Sequence, residues 1–139
     1  MIGINILHGF VLIVITIAIH IILTRFVISV VQYRSDQSRK HINFTKEYRL
    51  AATVLIIFAA SMVESVVWAA TYLKVGAIQT FTDALYFSIV TYTTLGYGDI
   101  ILSESWRLLA SFQAAIGIII FGWSTAIVVT IVQKIYLRK

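Results

Sequence analysis

The sequence contains no cysteine and no proline, and few of its residues are charged. Without cysteine, the chain holds no disulfide framework, no thiolate metal site and no cysteine nucleophile. Without proline, no helix contains a proline kink. Charged residues make up 12% of the 139 residues and hydrophobic residues 60%, whereas soluble domains average about a quarter and about a half. The composition therefore excludes an ordinary cytosolic globule and favours a membrane protein.

Three apolar segments are long enough to cross a bilayer, and they cover residues 4–31, 50–73 and 108–136. A hydrocarbon core about 30 Å thick needs about 20 helical residues, and backbone amides in lipid must be hydrogen-bonded within the segment. The three segments therefore predict transmembrane helices. A fourth apolar run, residues 81–92, is too short to span and predicts a re-entrant helix. Its start is marked by Thr80 and Asp83, which have the spacing of a capping box.

The net charge of +5 indicates how the chain is oriented in the membrane. Nine of the 11 basic residues precede the second segment or lie at or beyond the end of the third; they are Arg25, Arg34, Arg39, Lys40, Lys46, Arg49, Lys134, Arg138 and Lys139. By the positive-inside rule, the loop and the tail are predicted to be cytoplasmic and the N-terminus external, in the plasma membrane. The loop and tail can attract anionic lipids. Nucleic acid binding is not expected, because no folded basic surface is predicted.

The short apolar run is followed by the string Thr94-Leu95-Gly96-Tyr97-Gly98-Asp99. A cation that loses its hydration shell needs a close cage of oxygen ligands, and backbone carbonyls provide one if they point inward along an extended segment. Gly96 and Gly98 lack a Cβ, so they can adopt the left-handed conformations that turn successive carbonyls the same way. The hydroxyl of Thr94 adds a side-chain oxygen at the inner end.

In this context, between a short capped helix and a last apolar segment, the string resembles the selectivity filter of small prokaryotic-type potassium channels with two helices around a pore loop. The resemblance covers about residues 50–136. It implies a homotetramer, since one copy of the string cannot form a ring. It also implies that K+ is the permeant ion, with no cofactor. The implied ligands are the carbonyls of Thr94, Leu95, Gly96 and Tyr97 and the Thr94 hydroxyl, supported at the mouth by Gly98, Asp99, Tyr86 and Phe87.

The expected protein is thus an all-α membrane protein that assembles with four-fold symmetry. Residues 1–32 are predicted to form an additional transmembrane helix, residues 33–49 a basic cytoplasmic loop, and residues 50–139 the pore domain. Within the pore domain we expect an outer helix over residues 50–73, a pore helix over 80–92, the filter over 94–98 and an inner helix over 106–136. The first helix is not expected to sense voltage, because Arg25 is the only basic residue within it.

Two positions depart from the family pattern. Leu95 stands where valine is commonest, and Val90 stands where some bacterial members carry a glutamate that bonds the aspartate of the filter. A looser filter would make the protein a less selective cation channel of the same architecture. A non-conducting regulatory subunit of a channel is the second alternative. No catalytic constellation and no metal-ligand spacing is found, so neither an enzyme nor a metal site other than K+ in the filter is expected.

Gly117 and Gly122 lie in the inner segment, where each glycine costs up to about 1 kcal/mol relative to alanine. Glycines in such a helix are interpreted as a gating hinge or as positions of close helix packing. For Gly117 both interpretations stay open, while Gly122 fits packing better.

Glu64 lies inside the second apolar segment, where an acid is costly and marks a functional site. Counting the helical rise places His20 at a similar depth, so the two side chains can meet. Because histidine titrates near neutral pH, such a contact would make gating sensitive to pH. The alternative is a neutral Glu64 bonded to Ser61, to a hydroxyl of the pore helix or to water.

Overall fold

The computed structural model describes residues 2–37 and 44–137, most of which are helical. The helices are α1 (Ile2–Gln37), α2 (Phe44–Lys74), α3 (Phe81–Tyr92) and α4 (Glu104–Val132), which continues as one π-helical turn, Gln133–Leu137. Three stretches are long and apolar enough to cross a membrane: Ile6–Ser29, Glu47–Lys74 and Glu104–Tyr136. The protein is therefore a multi-pass membrane protein with three candidate spans, as its apolar segments predict.

The helices extend further than the apolar segments do. α1 continues to Gln37 and α2 begins at Phe44, so helix covers much of the stretch 33–49 that was expected to be a loop. This stretch contains neither proline nor glycine, the two residues that most strongly interrupt a helix. The prediction of anionic-lipid contacts rests in part on Arg39, Lys40, Arg138 and Lys139, which lie outside the described residues.

α3 begins as the capping pattern predicts. The hydroxyl of Thr80 accepts a hydrogen bond from the amide of Asp83 at 3.1 Å and donates one to its carboxylate at 2.7 Å. The carboxylate of Asp83 lies in the first turn, where the helix dipole favours a negative charge. With 12 residues, α3 is about 18 Å long. It ends at Tyr92, whose hydroxyl bonds Glu64 midway along α2, so α3 stops inside the bundle instead of crossing it.

α1 packs against both α2 and α4. Its contacts run in opposite chain order along α2 and in the same chain order along α4, so α1 is antiparallel to α2 and parallel to α4. The contacting pairs are Thr16–Trp68 and His20–Glu64 with α2, and Gly9–Phe112, His20–Ser124 and Val27–Ile131 with α4. The beginning of α1 therefore lies at the same end of the bundle as the segment that joins α2 to α4 through α3.

The main apolar core lies where α2, α3 and α4 meet, and Leu12 of α1 packs into it. Trp68, Tyr72, Tyr92 and Leu109 are fully buried there. Many other large apolar side chains lie on the surface of the single chain, among them Phe10, Ile22, Leu55, Phe58 and Ile118. Exposed apolar surface of this extent marks contact with lipid or with another protein chain.

Candidate functional site

The backbone after α3 alternates in handedness. The φ angles of Thr94, Gly96 and Gly98 are 60°, 56° and 78°. The two glycines adopt the left-handed conformation expected of them, at no steric cost. Thr94 is the only non-glycine residue with a positive φ in the described ranges 2–37 and 44–137. Such a conformation costs free energy and marks segments that are held for a function.

Hydrogen bonds to α3 fix the direction of two carbonyl groups in this segment. The amides of Leu95 and Gly96 both donate to the carbonyl oxygen of Val90, at 2.9 and 3.3 Å. In a trans peptide, the carbonyl of the preceding residue points opposite to the N–H group, and the described residues contain no cis peptide bond. The carbonyls of Thr94 and Leu95 therefore point away from α3. Residues 93–99 are exposed in the single chain, so these oxygens face its open side.

Asp99, at the end of the string, is anchored by Tyr86 of α3. The phenol donates a hydrogen bond to Oδ2 of Asp99 at 2.7 Å. This bond lowers the pKa of Asp99, and hydrogen bonds from backbone amides lower it further. The same bond raises the pKa of Tyr86. Tyr86 thus provides the partner for Asp99 that Val90 cannot provide.

The aromatic residues near the segment are of two kinds. Phe87 is buried and packs edge-on against Tyr72, with ring centroids 5.2 Å apart, and Tyr92 packs against Phe121 at 5.8 Å. Tyr97, by contrast, is 65% exposed in the single chain. Support by Phe87 therefore comes from within one chain, whereas a packed environment for Tyr97 requires a neighbouring chain.

Glu64 is fully buried and joins three helices. Its Oε1 lies 3.1 Å from Nδ1 of His20, and its Oε2 accepts a hydrogen bond from the hydroxyl of Tyr92. Nε2 of His20 lies 3.4 Å from Oγ of Ser124. The predicted contact between His20 and Glu64 is thus present. The alternative partner, a hydroxyl of the pore helix, is present as well, because Tyr92 bonds the same carboxylate. The hydroxyl of Ser61 bonds a backbone carbonyl of its own helix instead.

A second buried polar cluster fixes the middle of α3, and the sequence reasoning missed it. Tyr72 donates to Oε1 of Gln113 at 2.8 Å, and Nε2 of Gln113 donates to Oγ of Ser88 at 2.7 Å. Ser88 in turn donates to the carbonyl of Ser65 at 2.7 Å. The available signal was Gln113 itself, an amide within an apolar span that must find partners there.

Gly117 lies directly against the end of α3. A Cβ at Gly117 would collide with the carbonyl oxygen of Tyr92, whereas a Cβ at Gly122 would meet no atom within 4 Å. Close packing within the chain is therefore found at Gly117, whereas Gly122 lies on the exposed face of α4, where a packing role against another chain stays a prediction. α4 is continuous through both positions. The structure thus gives Gly117 a packing role, and the hinge role stays a prediction.

We expect Gly117→Ala to destabilise the protein and Gly122→Ala not to. Inserting a methyl group into a closely packed site costs about 1–3 kcal/mol, while alanine in an open helical position gains up to about 1 kcal/mol over glycine. Thermal unfolding of the two purified variants in the same detergent measures the difference. Equal melting temperatures for both variants would contradict the close contact between Gly117 and Tyr92.

A sequence model of the family described as "Ion channel" matches residues 50–134. The match covers more than half of the chain and includes nearly all of α2, the whole of α3 and α4, and the segment between them, while α1 lies outside it. No curated protein and no solved structure matches the chain.

Proposed function

The chain belongs to the ion channel family, which is not a family of enzymes, and from this premise we propose that it is a potassium-selective channel subunit that conducts K+ passively. One observation carries the proposal. The left-handed residues Thr94, Gly96 and Gly98 alternate with Leu95 and Tyr97, and the amides of Thr94, Leu95 and Gly96 bond back to α3. This backbone presents carbonyl oxygens on the side that a dehydrated cation would occupy.

A single chain contributes only one row of such oxygens. To enclose an ion, this row needs equivalent rows from other chains around a common axis. Four chains with cyclic symmetry would supply them. The exposure of residues 93–99 supports this assembly. On the exposed face of α4, Ile118 and Ile119 are 63% and 60% accessible in the single chain. We propose that this face of α4 and the filter segment line the central pathway or contact neighbouring subunits.

The end of α3 also favours a cation. The negative end of its dipole lies at Tyr92 and Thr93, directly before the proposed filter. The four pore helices of a tetramer would direct this end toward the same central region. A cation below the filter would therefore be stabilised by the helices as well as by the carbonyls.

The charges of the chain support one orientation of the subunit. The beginning of α1 and the acidic residues Asp83, Asp99 and Glu104 lie at one end of the bundle. The end of α1 and the beginning of α2, whose sequences include Arg34, Lys46 and Arg49, lie at the other. By the positive-inside rule, we propose that the acidic end is external. Negative side chains at this mouth would raise the local concentration of K+.

In Tyr86→Phe, we expect K+ conductance to fall with acid at a higher external pH than in wild type. Removing the phenol donor takes away the main cause of the low pKa of Asp99, so that pKa rises toward its ordinary value. As the external pH falls, the variant then loses the negative charge of Asp99 before the wild type does. Single-channel conductance as a function of external pH measures this shift. Superimposable pH profiles for wild type and variant would contradict it, and Asp99→Asn, which has no carboxyl to titrate, is the control.

The purified chain alone should release K+ from liposomes that hold a K+ gradient. This experiment separates a conducting subunit from a regulatory one, because a regulatory subunit gives no flux without a second channel chain. Empty liposomes prepared in parallel measure the leak. Release equal to the leak, from a preparation shown to be tetrameric, would overturn the proposed function.

A further inference from the structure

The inner end of the proposed filter is built on the last turn of α3. The amide of Thr94 donates to the carbonyl of Thr91 at 3.0 Å, and the amides of Leu95 and Gly96 donate to the carbonyl of Val90. Tyr92, the last residue of α3, lies two residues before Thr94. Any displacement of this turn therefore moves the first carbonyls of the filter.

That turn is held through a chain of contacts that begins on α1. His20 of α1 bonds Oε1 of Glu64 on α2, and Oε2 of Glu64 accepts the hydroxyl of Tyr92 on α3. α4 faces the same point with Ser124, and with Trp123, whose ring lies 5.4 Å from that of His20. The three bonded residues, His20, Glu64 and Tyr92, are each at most 1% exposed.

We propose that α1 acts as a brace for the filter through His20, Glu64 and Tyr92, called the brace here, and that these are positioning residues for ion selectivity. Glu64 without a partner would be a buried acid with unsatisfied oxygens, which is strongly unfavourable. The imidazole of His20 occupies one oxygen and orients the carboxylate, so the other oxygen is directed at Tyr92. This gives a physical reason for a helix that lies outside the region matching the ion channel family.

A neighbouring contact provides a matched control. Nε1 of Trp68 donates to Oγ1 of Thr16 at 3.0 Å, so Thr16 also ties α1 to α2. Thr16 is fully buried, one helical turn from His20, and its hydroxyl otherwise bonds only a carbonyl of its own helix. Thr16→Val removes a buried hydrogen bond between the same two helices and leaves the brace intact.

The first test measures ion selectivity, and it rests on the proposed function. Full-length wild type, Tyr92→Phe, His20→Ala and Thr16→Val are reconstituted, and the K+/Na+ permeability ratio is taken from reversal potentials. Losing one buried hydrogen bond should lower the ratio between about three- and tenfold in Tyr92→Phe and His20→Ala. Thr16→Val should keep the wild-type ratio. The double variant of His20 and Tyr92 should lose no more than the larger single loss, because either change breaks the same chain.

The second test needs no conduction. Hydrogen–deuterium exchange of the purified tetramer reports how firmly the amides of residues 93–96 are held. Exchange there should be several-fold faster in Tyr92→Phe and His20→Ala than in wild type, and unchanged in Thr16→Val. If wild type does not conduct, the proposed function fails, but hydrogen–deuterium exchange still tests whether the brace holds the filter. Wild-type exchange in Tyr92→Phe, or equally fast exchange in Thr16→Val, would overturn the brace.

Discussion

Gly96→Ala is expected to reduce K+ flux by at least about a hundredfold. Gly96 has a φ of +56°, and an L-residue in the left-handed region costs about 1–2 kcal/mol. In the proposed tetramer the same cost applies in all four chains, so the native filter backbone becomes a minor conformation. A Cβ at Gly96 would meet no atom of its own chain within 4 Å. The effect therefore comes from the backbone and not from a collision within the subunit. Flux into liposomes at equal protein content measures it.

Gly76→Ala is the matched control for this experiment. Gly76 has a φ of +69° and open space at its Cβ, as Gly96 has, but it lies in the turn between α2 and α3. The substitution carries a similar backbone cost at a position remote from the carbonyl row. Its flux should stay within about twofold of wild type provided the tetramer forms. Flux from Gly96→Ala that equals that of Gly76→Ala would contradict the assignment of the filter.

Glu64→Ala is expected to destabilise the folded protein by about 2–6 kcal/mol, because it leaves two buried polar groups unsatisfied and each costs about 1–3 kcal/mol. The change leaves Nδ1 of His20 and the hydroxyl of Tyr92 without their hydrogen-bond partner in a buried site. Glu64→Gln should retain most of the stability, because its amide oxygen still accepts from the hydroxyl of Tyr92 and its NH2 group can donate to Nδ1 of His20 in the tautomer that carries its proton on Nε2. Thermal unfolding of the purified variants in one detergent provides the comparison.

Glu47→Ala controls for the loss of an acid from the same helix. Glu47 is exposed at the beginning of α2, so its removal should change stability by no more than about 0.5 kcal/mol. Equal melting temperatures for Glu64→Ala and Glu47→Ala would show that the carboxylate of Glu64 is not part of a bonded buried network.

The helices could be predicted from the sequence because each depends on local properties. The lengths of the apolar segments indicated the three spans, and Thr80 with Asp83 indicated the start of α3. The left-handed backbone at Gly96 and Gly98 followed from the missing Cβ. The same conformation at Thr94 could not be predicted, because it depends on the hydrogen bonds that the amides of Leu95 and Gly96 donate to the carbonyl of Val90. These bonds exist only once α3 and the segment after it are folded together.

For the contacts between helices, the sequence predicted only how deep in the membrane each side chain lies. Counting the helical rise brought His20 and Glu64 to the same level, and the structure places them in contact. The rotation of each helix about its axis is set by packing, and it decides which side chains of that level meet. For this reason a hydroxyl of the pore helix could be proposed as a partner of Glu64 without identifying Tyr92, and the choice between hinge and packing at Gly117 stayed open.

The most direct test of selective conduction is the reversal potential of the purified wild-type chain, with K+ on one side of the bilayer and an equal concentration of Na+ on the other. A carbonyl filter that replaces the hydration shell of K+ predicts a reversal potential far from zero, with the sign set by K+. A reversal potential near zero, from a chain that conducts, would contradict potassium selectivity and indicate a non-selective cation channel built on the same helices.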